Sequence, residues 1–474
     1  MKTRTLTLFL TALLLLLPLL SACGGSSSGS DDQTAAAETE PVETERQSVL
    51  PATDWNGRKF CLCLSYEDCY KAYWSPELDG EVVNDEKYYM CQNITDKYNF
   101  ELTFDNGGGD STGNGQVIFR EYLTSLILSG DATKDVYGHV QHTGMPAMIN
   151  EGYFMDWSLV DHIDFSQPWW NEIMIDSINF GTKIYTCMGT WTQASYQAVE
   201  MIMFNKTLCN DLGIEPPYQY VKDYTWVADK FIKIIADSTA DLNGDSVMDY
   251  DNDRYGFAGW QYEQIPALYM GFGGKVLDKD PTTKEPILVV ESERTNTVLE
   301  TMKSIFEMDG SFYHGTTYAL EDNMFSGGRL MFNDAFISQL GGYRDMEDDF
   351  GFVPYPMLDE QQDNYSSRIG NTATVFYLPV TNVTTDFTGF VISAFNEEAY
   401  YTVYPAYIDT VLTVKQTRDT ESEEMIPYIR STATALDSAL GFSPMSAMQQ
   451  GASYIAANLT AWETKLEELA ETYA

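Results

Sequence analysis

Arg58-Lys59-Phe60-Cys61-Leu62-Cys63-Leu64 opens on two charges and then runs through five apolar residues without a break. A strand with one wet face alternates apolar and polar residues. A short run with no polar alternate is buried on both faces, as in a parallel sheet covered by helices. Val117–Ser129 repeats apolar residues at helical spacing (Ile118, Tyr122, Leu126) and stops at Gly130, a residue suited to a C-terminal cap. Asp135-Val136-Tyr137 reads as a second short strand and Met201–Phe204 as a further buried one. Thr225 is placed to cap a helix carrying Val227, Phe231, Ile234 and Ile235 on one face. Ile455, Leu459, Trp462, Leu466 and Leu469 line one stripe of a final helix. Strands alternating with helices predict α/β layers, and no internal repeat at fixed period interrupts them.

The N-terminus has a different character. Lys2 and Arg4 precede an apolar run, Leu6–Leu20, that ends in Leu20-Ser21-Ala22-Cys23. A positive start, an apolar middle and small residues before a cut make a secretory signal over residues 1–22. The run is about 15 residues, short of the roughly 20 a spanning helix needs. The cysteine directly after the cut resembles the lipobox of bacterial lipoproteins, which implies a lipid (diacylglycerol and palmitate) on Cys23. Gly24–Val49 is Gly, Ser, Thr and acid with no aromatic residue. It cannot bury enough apolar surface to offset its chain entropy. Residues 23–50 are therefore expected to be a flexible lipidated tether, with a reach of roughly 30 Å.

The formal net charge is −42, and loss of residues 1–22 would remove Lys2 and Arg4 but no acid. A body this acidic is repelled by nucleic acid and by anionic lipid, which excludes nucleic acid as a partner. After Cys23, six cysteines remain (61, 63, 69, 91, 187 and 209). Cys61 and Cys63 read as small buried hydrophobes. Export permits a disulfide, and Cys69–Cys91 is a candidate bridge. With no histidine nearby, zinc is not expected.

Four ordered segments then carry a resemblance. Gly181–Tyr185 leads to Met203-Phe-Asn-Lys206, Leu212–Pro217 and Thr225-Trp226; next come Asp253–Phe257, then Phe325–Met331 with Gly351–Pro356, then Ala406–Leu412 with Asp419–Met425. In this order they resemble the extracellular solute-binding proteins of family 1, the sugar-binding, maltose-binding-protein-like lipoproteins of ABC importers. The resemblance implies a periplasmic-binding-protein-like type II fold: two α/β lobes with a hinge and an interlobe cleft. It puts the crossings near 186–192, 374–380 and 403–409. The N-terminal lobe would be 51–188 plus 377–405, and the C-terminal lobe 189–376 plus 406–474. It also implies a non-enzymatic monomer that captures a mono- or oligosaccharide and delivers it to ABC permease subunits from the extracytoplasmic face of the membrane.

Aromatic residues are 14% of the chain. Rings stack on the C–H face of a sugar, and acids or amides bond its hydroxyl rim. Position in the resemblance favours Tyr66, Tyr137, Trp191, Tyr196 and Trp260 as rings, with Glu67, His139, Gln141, Asn333, Asp334, Arg368 and Asn371 as polar partners. Phe332-Asn-Asp-Ala-Phe336 departs from relatives that carry glycine and tryptophan there, which leaves the ligand's identity open.

Two loops need separate readings. Gly107–Gly115 is glycine-rich but lacks the Lys-Ser/Thr ending of a phosphate loop. Asp241-Leu-Asn-Gly-Asp-Ser-Val-Met-Asp249 sets oxygen side chains at positions 1, 3, 5 and 9, as a calcium loop does. Asp241, Asn243, Asp245, Val247 (through its carbonyl), Asp249, Asn252 and Asp253 are the candidate ligands, and the metal would be structural. Ser246 stands where glycine is usual, and Asn252 where a bidentate Glu is usual. No HExxH motif occurs, and the GxSxG match Gly25–Gly29 falls in the expected tether. A glycoside hydrolase needs only two carboxylates, so it stays an alternative beside a surface glycan-docking lipoprotein.

Overall fold

The computed structural model describes residues 46–65, 67–109, 113–140, 144–315, 319–370, 373–408, 420–431, 433–434 and 440–474. The chain divides into two units, Met1–Gln47 and Ser48–Ala474. The expected signal, Cys23 and most of the tether lie outside the described residues. Among the described residues no helix is long and apolar enough to cross a membrane.

Along Ser48–Ala474 the strands are β1 (Arg58–Leu64), β2 (Phe100–Asp105), β3 (Val136–Val140), β4 (Thr186–Cys187), β5 (Glu200–Asn205), β6 (Tyr255–Trp260), β7 (Leu277–Lys279), β8 (Pro286–Leu288), β9 (Ser311–His314), β10 (Leu330–Phe336), β11 (Phe350–Val353), β12 (Ser367–Arg368), β13 (Thr374–Tyr377) and β14 (Ala433–Thr434). They form two five-stranded sheets, β2-β1-β3-β13-β4 and β11-β5-β10-β6-β9, and two small pairs, β7-β8 and β12-β14. β1 runs parallel to β2 and β3. Phe60, Leu62 and Leu64 pack into one core with Phe387, Phe390 and Phe395 of the helix Thr385–Tyr401. Cys63 faces the other core, beside Phe119 and Leu123. Helices thus cover both faces of β1, as its apolar run requires. β5 is buried along its whole length. Beside it, Phe231 packs on Phe257 and Phe332 with ring centroids 4.9 and 5.0 Å apart.

Three local expectations change. The helix Gly113–Ser129 forms and ends at Gly130 with φ +70°, but its buried face is Phe119, Leu123, Leu126 and Ile127; Ile118 is exposed. Both sets have helical spacing, and packing against the sheet selects the second. The helix Ala228–Ser238 is preceded by Val227, with no side-chain cap bond; Thr225 instead donates to the Tyr220 carbonyl. Cys69 and Cys91 are free thiols, as are the other four cysteines of residues 61–209. Cys91 Sγ donates to the Tyr73 carbonyl at 3.7 Å, and burial pushes its thiol up to about 12.

The chain crosses from the first sheet to the second between Cys187 and Glu200; after β11 it still bridges Val199 at Ile369, and it rejoins the first sheet at Thr374. The return therefore precedes residues 374–380, because β13 already pairs with β3 from Thr374. Gly370 N–H donates to the Ala198 carbonyl at 2.8 Å, tying the two crossings together. The last helix, Ala452–Tyr473, buries Ile455, Trp462 and Leu469 as its stripe predicts. Its final turn reaches first-lobe residues: Thr472 O accepts from Lys183 Nζ and Tyr185 Oη at 3.1 and 3.2 Å. Tyr473 meets the rings of Phe180 and Tyr185 at 5.6 and 5.1 Å. The β7–β8 hairpin also touches the first lobe, through Lys279 Nζ to Asp176 Oδ1 at 2.8 Å and Gly181 N to Lys284 O at 2.8 Å.

Candidate functional site

Strand polarity points to the site. In open α/β sheets, ligands bind outside the carboxyl ends of the parallel strands. In the second sheet β6, β9 and β10 are parallel, and β5 is antiparallel to β10 and β11. The carboxyl edge therefore carries Trp260, His314, Phe336 and the segment after Val353, with Glu200 opposite Phe336. In the first sheet the same edge carries Leu64, Asp105, Val140 and the start of β13 at Thr374.

A buried charge cluster is built at the second edge. Arg368, the last residue of β12, is fully buried, and its Nη1 donates to the carboxylates of both Glu200 and Glu263. Glu200 opens β5 and is also fully buried; Glu263 lies in the first turn of the helix Gln261–Gly271 and is 18% exposed. Glu263 is therefore the member that reaches the surface. Asp334 Oδ1 accepts a hydrogen bond from Tyr355 Oη at 2.5 Å. Burial pushes the Asp334 carboxyl up to about 8, against the Tyr355 hydroxyl that lowers it. Burial also raises Glu200 well above the carboxylate range, only partly offset by Arg368. The Arg368 guanidinium loses from burial, yet Glu200 and Glu263 hold its charge above the ordinary arginine value.

The cluster is under-satisfied. Arg368 Nε and Nη2 and both amide atoms of Gln264 are buried with no hydrogen-bond partner among the described residues. Each such group costs about 1–3 kcal/mol of lost hydration. Just before Glu263 in sequence, where β6 ends, half-buried Trp260 meets exposed Tyr262 with ring centroids 5.0 Å apart at 66°. Gly259, inside β6, leaves room for the Gln264 side chain: a Cβ would stand 2.9 Å from its amide carbon. His314 Nε2 lies 2.5 Å from Glu321 Oε2 at the end of β9. The edge thus presents a partly exposed aromatic pair close in sequence to the Glu263 carboxylate, groups of the kind that meet a C–H face and a hydroxyl rim.

Of the residues expected from sequence, Trp260, Asp334 and Arg368 come together at this edge. Asn333 is buried and bonds Asp322 Oδ1 at 3.1 Å and Tyr343 Oη at 2.9 Å, which makes it a structural tie. Trp191 and Tyr196 stand at core positions. Trp191 stacks on Phe395 at 4.3 Å and 12°, and its indole N–H donates to Tyr73 O at 3.2 Å. Tyr196 packs on Tyr404 and Tyr407, each at 5.2 Å. Tyr137 and His139 are buried within β3, with the His139 ring 4.9 Å from Phe119. Glu67 begins a 3-10 helix, Glu67–Ala72. Tyr66, Gln141 and Asn371 lie outside the described residues. Sequence reasoning missed Glu200, Glu263, Tyr355, Gln264 and Tyr262. Only Tyr262 carried a signal, as a second aromatic two places after Trp260.

The Asp241–Asp253 loop is closed by its own amides. Asp241 accepts from Gly244 and Ser246 N–H at 2.6 and 2.8 Å, and Asp245 from Val247 N–H at 2.8 Å. Asp249 accepts from Asp251 and Asn252 N–H, both at 2.9 Å. Asp253 accepts from Leu242 and Asp249 N–H at 2.9 and 2.8 Å; these backbone bonds hold its carboxyl below the usual range. Ser246 adopts φ +67°, the conformation that glycine would take without strain. Among the described residues no three His, Cys, Asp or Glu side chains are grouped as metal ligands.

No family model matches the sequence, and no curated protein matches it. Solved structures do match. UspC of M. tuberculosis is 11% identical, with 87% of this chain and 100% of that one covered at a TM-score of 0.55. A family 1 extracellular solute-binding protein from Bifidobacterium longum subsp. infantis is 12% identical, covering 88% and 99% at 0.53. The GacH receptor of Streptomyces glaucescens GLA.O is 10% identical, covering 88% and 97% at 0.50. At these identities the likeness is one of fold, and over Ser48–Ala474 this chain has the periplasmic-binding-protein-like, two-sheet α/β fold of these structures.

Proposed function

We propose that this chain is a lipid-anchored solute receptor on the extracytoplasmic face of a membrane. It binds a carbohydrate at the carboxyl edges of its two sheets and delivers it to the permease subunits of an ABC-type importer. The observation that carries this reading is the pairing of Trp260 and Tyr262 at the same strand edge that holds the Arg368–Glu200–Glu263 cluster. Two further facts support it. The GacH receptor, of the same fold, was solved in complex with acarbose. The Leu20–Cys23 lipobox pattern supports the anchor. Ring stacking on Trp260 and hydroxyl bonds to Glu263 and Asp334 would favour the arrangement in which both sheet edges contact the ligand. Closure would then be a hinge motion about the 188–199 and 369–373 crossings. A glycoside hydrolase is the weaker reading here, because buried Glu200 does not reach a substrate.

The Asp241–Asp253 loop enters the proposal as a weak structural calcium site. Asp241, Asp245 and Asp249 each accept backbone N–H bonds within the loop and keep further lone pairs for a cation. A thermal-shift screen of the purified protein against mono- and oligosaccharides, with and without calcium, tests both parts. A ligand at a hundredfold excess over its Kd stabilises the folded state by about 2.7 kcal/mol. A shift with one saccharide series is the expected result, and no shift with any saccharide rejects carbohydrate as the solute class. No shift with millimolar calcium rejects the metal.

A further inference from the structure

The first sheet carries an aromatic pocket of its own. A cavity of about 640 Å³ is lined by Tyr70, Trp74, Leu102, Phe104, Asp105 and Asn106, at the carboxyl ends of β1 and β2. Trp74 stacks on Phe104 at 5.8 Å and 29°, and Tyr70 lies 5.6 Å from Trp74 and 5.9 Å from Phe104. All three rings are partly exposed. Polar groups stand beside them. Asp105 is fixed by Lys134, by Tyr122 Oη at 3.1 Å and by Gly107 N at 2.9 Å. Asn106 Oδ1 accepts from Gly108 N at 3.1 Å, which orients the amide and leaves its hydrogens for another acceptor.

Three rings with an oriented carboxylate and amide at one end suit a pyranose, which offers a C–H face and a hydroxyl rim together. A lipid chain would gain nothing from the Asp105 carboxylate or the Asn106 amide. Position then limits the ligand's size. β2 is the edge strand, four places from β4, where the chain crosses to the second sheet. At ~4.8 Å per strand the pocket lies ~19 Å from that crossing, while β6, which ends at Trp260, is two places or ~10 Å from β5. One sugar ring seated near the crossing does not span such a distance; a chain of several rings does.

We infer that the Tyr70–Trp74–Phe104 pocket is an outer sugar subsite and that the solute is an oligosaccharide and not a monosaccharide. The inference rests on the carbohydrate reading above. The test is titration of the purified protein with glucose, galactose and xylose and their linear oligomers of two to six units, followed by calorimetry. Trp74→Ala and Phe104→Ser each lower affinity for the best wild-type oligomer at least tenfold. Trp74→Phe stays within threefold, and the shortest saccharide that binds is unaffected by any of the three. Circular dichroism confirms that each variant is folded. Equal affinities of wild type, Trp74→Ala and Phe104→Ser for the longest ligand overturn the subsite and leave the carbohydrate reading standing. So does a monosaccharide that binds wild type as tightly as any oligomer. If wild type binds no saccharide, the carbohydrate reading falls and the subsite with it.

Discussion

Replacing Arg368 with methionine removes the one cation that Glu200 and Glu263 share. Methionine keeps most of the side-chain volume, so the change is chiefly electrostatic. Breaking a buried ion pair by removing one partner costs about 3–5 kcal/mol, because the remaining charge is left uncompensated. Two features of the site adjust that figure. Arg368 Nε and Nη2 have no partner among the described residues, so their removal returns some of the penalty already present. Glu200 is raised by burial and can take up a proton once the cation is gone, which limits the cost at low pH. The expected loss is therefore about 3 kcal/mol at pH 7.5 and less at pH 5. Urea unfolding followed by circular dichroism measures it, with an unchanged m-value marking a change in stability and not in compactness. Glu200→Gln and Glu263→Gln in the Arg368→Met background should restore at least half of the loss, since no unpaired charge then remains. An Arg368→Met variant within about 0.5 kcal/mol of wild type at pH 7.5 would refute the reasoning.

Asp334 gives a pH signature. Its folded carboxyl is raised to about 8, above an unfolded value of 3.8, so the folded state binds the extra proton between those pH values. Stability then falls as pH rises through that window. Relative to Asp334→Asn, wild type should lose about 1–3 kcal/mol between pH 4 and pH 8, well under the roughly 6 kcal/mol limit for four pH units. A difference that does not change with pH would count against the burial of this carboxyl. Gly181 has φ +58°, and a Cβ there would stand 2.5 Å from the Tyr473 carbonyl oxygen. Gly181→Ala should therefore displace the end of the last helix and cost about 1–3 kcal/mol, read as a lower Tm. Trp191→Ala should cost about 3–5 kcal/mol by opening a core cavity, whereas Trp260→Ala should cost much less stability but weaken saccharide binding. Equal thermal stabilities for the two tryptophan variants would contradict the core placement of Trp191.

The fold was legible because burial leaves a linear trace. The unbroken apolar runs of β1 and β5 require cover on both faces, and the Ile455–Trp462–Leu469 stripe is buried as its period predicts. What periodicity could not settle was a choice between two equally spaced faces. In Gly113–Ser129 the set containing Phe119 and Leu123 won over the one containing Ile118, because only packing against the sheet distinguishes them. The site was legible in part. Trp260, Asp334 and Arg368 sit at strand ends that order along the chain locates. Glu200 and Glu263 were invisible among 70 acidic residues. Their meaning comes from Arg368, which is 168 residues from Glu200 and 105 from Glu263. Trp191 misled for a related reason. An aromatic residue beside a crossing looks the same in sequence whether it faces a cleft or, as here, stacks on Phe395 inside the first lobe.

The central claim is that a saccharide is held at the carboxyl edges of both sheets, and small-angle X-ray scattering of the purified protein with and without its best saccharide tests it most directly. The account predicts a smaller radius of gyration at saturating ligand, with the change lost or weakened in Trp260→Ala at the same concentration. A saccharide that binds wild type but leaves its scattering profile unchanged, and binds Trp260→Ala equally well, would contradict it.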